Sequence, residues 1–232
     1  MMDLAVPLQQ GQIEAASRLH GRLKQWAVTD RALLALHERF RGFDEEASLL
    51  KVAAINQLYF TNVYAVVRMA KHVTQVLAGS VETLAEAELV RRLAALPKAP
   101  TQQSARNHRS FASKFAHFFI DAERFPIFDD YAMRMVKLHL GQKGQVSGEP
   151  NEYKAFLENL HRLKERSGVT CSFRDLDRYL WLAGLYRAWK KAPHAQINVE
   201  VADLLASPSA EVAADLEALF PAAFDKASQE EQ

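Results

Sequence analysis

The chain has 232 residues, 49% of them hydrophobic, with a formal net charge of +1 and one cysteine. Length and apolar content suffice for one domain, or two small ones, around a buried core; the near-zero net charge excludes attraction to nucleic acid or anionic membrane by global charge and leaves only a local patch. Cys171 alone excludes an internal disulfide framework and a four-cysteine iron–sulfur cluster. Together with the lack of an apolar run of membrane-spanning length, and of a basic-then-apolar leader in residues 1–10, it gives the expectation of a cytoplasmic protein without a membrane partner.

In chain order, Ile13, Ala16, Leu19, Leu23 and Trp26 recur at helical spacing from Leu8 to Trp26. Thr29 and Asp30 read as punctuation before Leu33, Leu34, Leu36 and Phe40 begin a second helix. Gly42 ends that helix and Asp44 can cap a third. The run Leu49, Leu50, Val52, Ala53, Ile55, Leu58 and Tyr59 is apolar around so much of its circumference that it predicts a central buried helix, in which Asn56 and Gln57 stand out as polar. After Thr61-Asn62 a fourth helix proceeds through Val63, Val66, Val67, Ala70, Val73 and Leu77 to Gly79. Ser80 is placed to cap a fifth, with Glu82 and Thr83 in its first turn, Arg91 and Arg92 near its end, and Pro97 and Pro100 closing it.

A further helix is expected over about Asp129 to Leu140, and Gly141 to Pro150 carries the strongest loop composition in the chain. Helices are then predicted from Glu152 to about Arg166, from Phe173 to Lys190 with Pro193 behind it, and in two short pieces, Val199 to Leu205 and Ala210 to Phe220. A polar tail frays from residue 226 to 232. No segment alternates with period two, so the chain reads as all-α.

The chemistry concentrates between these helices. From Glu88 to Asp121 the sequence has no acidic residue, while Arg91, Arg92, Lys98, Arg106, Arg109 and Lys114 are cationic. Lys114 lies in an apolar-rich helix, surroundings in which a lysine can become a nucleophilic amine. Asp129, after a short turn, begins the next helix, where backbone N–H groups and the dipole hold a carboxylate.

The strings Lys114-Phe-Ala-His-Phe-Phe-Ile and Pro126-Ile-Phe-Asp129-Asp-Tyr-Ala-Met-Arg134 resemble the active-site region of the helix-hairpin-helix DNA glycosylases, the superfamily of endonuclease III and the 8-oxoguanine DNA glycosylases. The resemblance implies a two-lobed helical bundle with the active-site cleft between lobes, here a single domain over residues 1–232 with lobes at about 30–95 and at 1–29 plus 96–225. It also implies Lys114 as the catalytic lysine and Asp129 as the catalytic aspartate, with Ala132 and Arg134 at the positions that follow it. Asp130 is the rival carboxylate; Asp129 is preferred because it keeps that register. Asn56 and Gln57 are similar to the polar wedge where a base leaves the duplex. The glycine-rich hairpin before the lysine is replaced by Asn107-His-Arg-Ser-Phe-Ala-Ser113, so Arg106, Arg109, Ser110 and Ser113 would contact phosphate by side chain.

The function so implied is excision of a damaged or modified base by a monomer that flips the base out of double-stranded DNA, in base excision repair or in defence against phage DNA with modified bases. A lysine nucleophile adds AP-lyase activity, and no cofactor is required. His117, Tyr131 and Trp181 are candidate pocket residues. A zinc site is not expected, because His108 and His117 lack a second ligand pair at metal-binding spacing. Asp175 and Asp177 read as part of a capped, solvated helix start, and Trp181, Tyr186 and Trp189, like Tyr59, Phe60 and Tyr64, serve either core packing or base stacking. The alternative is a helical DNA-binding or protein-interaction module without the chemistry.

Overall fold

The computed structural model describes residues 4–79, 84–98, 107–142, 152–192, 197–221 and 224. Among these residues regular structure is helical, α1 to α11, with one isolated antiparallel bridge between Ala95 and Asn107. The all-α expectation holds. No helix among the described residues is long and apolar enough to cross a membrane. The expected cap at Ser80, most of the 141–150 loop, Pro100, Arg106, Pro193 and the 226–232 tail lie outside the described residues.

The chain divides into two compact units: one of residues 1–28, 129–146 and 158–232, the other of residues 29–128 and 147–157. Residues 96–128 therefore belong with 29–95, whereas the sequence grouped them with the termini. The reason is aromatic: Phe115 and Phe119 of the Arg109–Phe119 helix pack on Phe43 and His37.

In the first unit α1 (Gln10–Arg22) packs on α9 (Phe173–Lys191) and α11 (Ala210–Leu219), and α7 (Asp130–Leu140) packs on α9. The first helix break falls at Leu23, not at Thr29-Asp30, which lie inside α2 (Lys24–Arg39). Leu23 leaves the helical region at φ −80°, ψ 85° and is fully buried. The backbone N–H of Gln25 then donates to both oxygens of Glu200 at 3.0 Å, so α2 is capped from α10 (Val199–Ala206). A cap supplied from so far along the chain leaves no local sequence mark.

Other starts are local: Asp129, Ser172, Asn198 and Ser209 each accept a backbone N–H of the helix that follows. Helix α7 ends at Gly141 in the left-handed region, φ 64°. A Cβ on Gly184 of α9 would stand 2.7 Å from the carbonyl oxygen of Tyr131. Only glycine permits that approach of the two helices. Within this unit, buried His139 donates from Nδ1 to the carbonyl of Val6 at 2.8 Å and receives the Tyr179 O–H on Nε2 at 2.8 Å. Gln12 Nε2 in turn donates to Tyr179 Oη at 3.2 Å and to the Leu219 carbonyl at 3.3 Å. The chain of bonds satisfies polar groups on four elements at once.

In the second unit α3 (Glu45–Leu58) packs on α4 (Val66–Leu77) and on α6 (Arg109–Phe119), which also packs on α5 (Glu86–Ala94). Helix α3 is not buried all round as its composition predicts. Leu49, Leu50 and Leu58 are exposed, while Lys51 is fully buried with its ammonium 4.2 Å from the Phe43 ring centroid and donating to the Gly42 carbonyl at 2.9 Å. Helix α8 (Glu152–Ser167) begins in this unit and continues into the other.

Candidate active site around Lys114

Every residue of α6 from Phe111 to Phe119 is buried. One side of the helix is an aromatic ladder, Phe111, Phe115 and Phe119, with successive ring centroids 5.7 and 5.1 Å apart. Ser110, Ser113, Lys114 and His117 recur at the three- and four-residue spacing that makes neighbours on a helix. The Lys114 ammonium donates to Ser110 Oγ at 2.7 Å, one turn back. The lysine is only 7% exposed, and its nitrogen lies 6.0 Å from the centroid of the Tyr59 ring. Tyr59 is fixed in turn: its hydroxyl donates to Asp30 at 3.1 Å, and its ring packs on Phe118 at 5.3 Å.

Ser113 and His117 bind the chain that returns from α6. Ser113 Oγ accepts the Phe128 N–H at 3.0 Å and donates to the Ser110 carbonyl at 3.2 Å. His117 Nδ1 lies 3.0 Å from the Phe125 carbonyl, which can only accept, so the proton sits on Nδ1. The turn is backed by the start of α8. Arg109 pairs with Glu152 at 2.7 Å, Tyr153 donates to the Pro126 carbonyl at 2.9 Å, and Phe156 meets Phe128 edge-on at 5.3 Å. Ser113 is thus an internal staple, fully buried, and Arg109 carries its own counter-ion.

Asp129, the next residue after this turn, opens the other unit as the N-cap of α7, its Oδ1 accepting the Ala132 N–H at 2.8 Å. Tyr131 and Trp181 also lie in that unit, half-buried; the Trp181 ring packs on Trp26 with centroids 4.9 Å apart. Asp175 accepts the Ser172 hydroxyl at 2.7 Å and pairs with Arg178 at 3.1 Å in a capped turn as expected, but Asp177 is buried, not solvated.

Asn56 closes the α3–α4 loop. Its Oδ1 accepts the Val63 N–H at 2.8 Å and the Thr61 hydroxyl at 3.1 Å, and its Nδ2 donates to the Val63 carbonyl at 3.1 Å. Gln57 beside it is exposed, and Arg106 lies outside the described residues. Among the described residues no three His, Cys, Asp or Glu side chains converge as metal ligands do.

The acid-free stretch of the sequence acquires carboxylates from its flanks. Arg91 and Arg92 both bind Glu88 at 2.7 Å, which draws the Glu88 carboxyl down to about 2. In the aromatic layer beneath α6, burial lowers the Lys51 ammonium to about 8 against the pull of Asp44, and burial followed by the nearby Lys51 charge lowers His37. Sequence reasoning passed over Lys51, a lysine inside an apolar run. It also passed over Asp30 and Glu152, whose partners Tyr59 and Arg109 are distant in the chain and carry no local mark.

Residues 12–123 match a family model described as an N-terminal domain, HI_0787_N. The matched span includes Asn56, Tyr59 and Lys114 and ends before Asp129. No curated protein and no solved structure matches the chain.

Proposed function

We propose that this protein is a DNA glycosylase with AP-lyase activity, in which Lys114 is the nucleophile and Asp129 the carboxylate that stabilises positive charge developing on the sugar. The observation that carries the reading is the setting of Lys114: an amine on a buried aromatic helix, held to a hydroxyl 2.7 Å away and flanked by a tyrosine ring. A lysine of that kind is positioned for covalent chemistry more than for solvation. Once the ammonium has given up a proton to solvent, its lone pair would attack C1′ of the extruded nucleotide as the glycosidic bond breaks, the base leaving with its electron pair and taking up a proton. Loss of a proton from nitrogen and opening of the sugar ring then leave an imine, the intermediate that permits strand cleavage.

The partner is double-stranded DNA with one base flipped out, and the protein acts as a cytoplasmic monomer in base excision repair or against modified phage DNA. His117 and Tyr131 remain the pocket candidates for the base, with Trp181 as a third. Arg109 and Ser110 remain the phosphate candidates on α6.

The test is reduction with borohydride in the presence of abasic-site DNA, together with a base-release screen over oxidised, alkylated, deaminated and hypermodified substrates. A trapped adduct that vanishes in Lys114→Ala, with base release from at least one substrate, supports the reading. Absence of both, with DNA binding intact, favours a helical DNA-binding module instead.

A further inference from the structure

The connection from α3 to α4 carries the most exposed aromatic side chains among the described residues: Phe60 is 76% exposed and Tyr64 81%. It is also conformationally strained. Phe60 has φ 49° and Asn62 φ 56°, the left-handed region that a bulky side chain rarely occupies. The strain is held by the three side-chain bonds of Asn56 and by the Thr61 N–H, which reaches the Asn56 carbonyl at 3.3 Å. A backbone so constrained keeps a large apolar ring in water, where burial elsewhere would be favoured. Such an arrangement has the form of a rigid contact element.

Its charge indicates the partner. The sequence has no Asp or Glu between Glu46 and Glu82, and α4 continues from the loop with exposed Val67 and Lys71 one turn apart and half-buried Arg68 between them. Exposed rings followed by cations, with no carboxylate along the stretch, fit a strand that offers base faces and phosphates together. We infer that the α3–α4 loop is a stacking platform for an unpaired stretch of a DNA strand, with Phe60 and Tyr64 taking the bases and Lys71 a phosphate. The inference rests on the DNA partner proposed above and assigns this loop the strand left unstacked. Tyr59, the residue before Phe60, is the one that flanks Lys114.

The test uses the full chain and a fluorescent oligothymidine, read by anisotropy at low salt, against a fully paired duplex. Phe60→Gly is the informative variant, because glycine adopts the left-handed backbone without strain: the fold is kept and the ring removed. Expected are a loss of single-strand binding of about tenfold or more in Phe60→Gly, larger than the loss for the duplex and without a lower thermal midpoint, and retention in Phe60→Tyr. Lys71→Ala should reduce the salt dependence by about one phosphate contact.

Unchanged single-strand binding in Phe60→Gly overturns the platform, as does an equal loss for the fully paired duplex. Phe60-dependent flotation with vesicles of anionic phospholipid, without oligonucleotide binding, also overturns it. Lys114→Ala keeps the platform. Phe60-sensitive strand binding without any base release or adduct therefore sinks the glycosylase reading alone, and an adduct formed by a protein whose strand binding ignores Phe60 sinks the platform alone.

Discussion

The hydroxyl of Ser113 holds the backbone N–H of Phe128 at 3.0 Å. This one bond ties the helix that carries Lys114 to the residue before Asp129. Ser113→Ala leaves a buried N–H without its acceptor, a loss of about 1–3 kcal/mol. The expected result is a lower urea midpoint, with single-turnover base release falling further than the residual folded fraction accounts for. A variant that loses stability in the expected range and keeps full single-turnover activity would show that the staple serves the fold alone.

Asp129 has two roles to separate, a helix cap that the structure displays and the proposed charge stabilisation. Asparagine caps a helix about as well as aspartate, and alanine costs about 1 kcal/mol at that position. Asp129→Asn is therefore expected to melt with the wild type and Asp129→Ala below it. Both are expected to lose base release with little change in DNA affinity. Full activity in Asp129→Asn would move the catalytic carboxylate elsewhere, with Asp130 the next to replace.

The helices were legible in the sequence wherever the apolar period and a local cap coincide, as at Asp44, Asp129 and Ser172. They were misplaced where the stop signal is tertiary: Thr29 and Asp30 look like punctuation, but Glu200 caps α2 several residues earlier. Composition also misjudged α3, because an apolar run does not record which side is covered, and here a lysine faces inward while leucines face water. For the candidate site, Lys114 on an apolar helix was readable, but Asn107 to Ser113, read as a remodelled hairpin, is helical from Arg109 onward, so Ser110 and Ser113 lie on the lysine's own helix. The Tyr59 ring, the Asp30 that holds it and the Glu152 that pairs with Arg109 were not readable, since each is brought in by packing between distant segments. The exposure of Phe60 follows from two left-handed residues that no propensity anticipates.

His139 predicts how the fold responds to acid. Burial holds its imidazole down at about 4 in the folded chain, against an ordinary value of 6.5. The unfolded state therefore binds more protons between those values. Stability is fully present above pH 6.5 and falls as pH drops from 6.5 towards 4, by about 3 kcal/mol for this group. Urea unfolding at pH 7.5, 6.5 and 5.5 samples the window before most carboxylates titrate. His139→Gln is expected to be less stable at neutral pH and to show a flatter profile between pH 6.5 and 5.5; an unchanged slope would assign the acid sensitivity to another group.

Lys51 works in the opposite range. Its ammonium is lowered to about 8 by burial among Phe43 and Phe119, with Asp44 opposing the shift, while the unfolded chain holds the proton to about 10.5. Below pH 8 both states are charged and the folded state bears the desolvation of the ammonium. Between pH 8 and 10.5 the unfolded state binds the additional proton, so stability attributable to this group rises with pH. Lys51→Met fills a similar volume without the charge, although it leaves the Gly42 carbonyl without its donor. The expected outcome, read by thermal melting across pH 7 to 10, is a loss of the alkaline rise in the variant; a rise that persists in Lys51→Met would show that the lysine does not carry it.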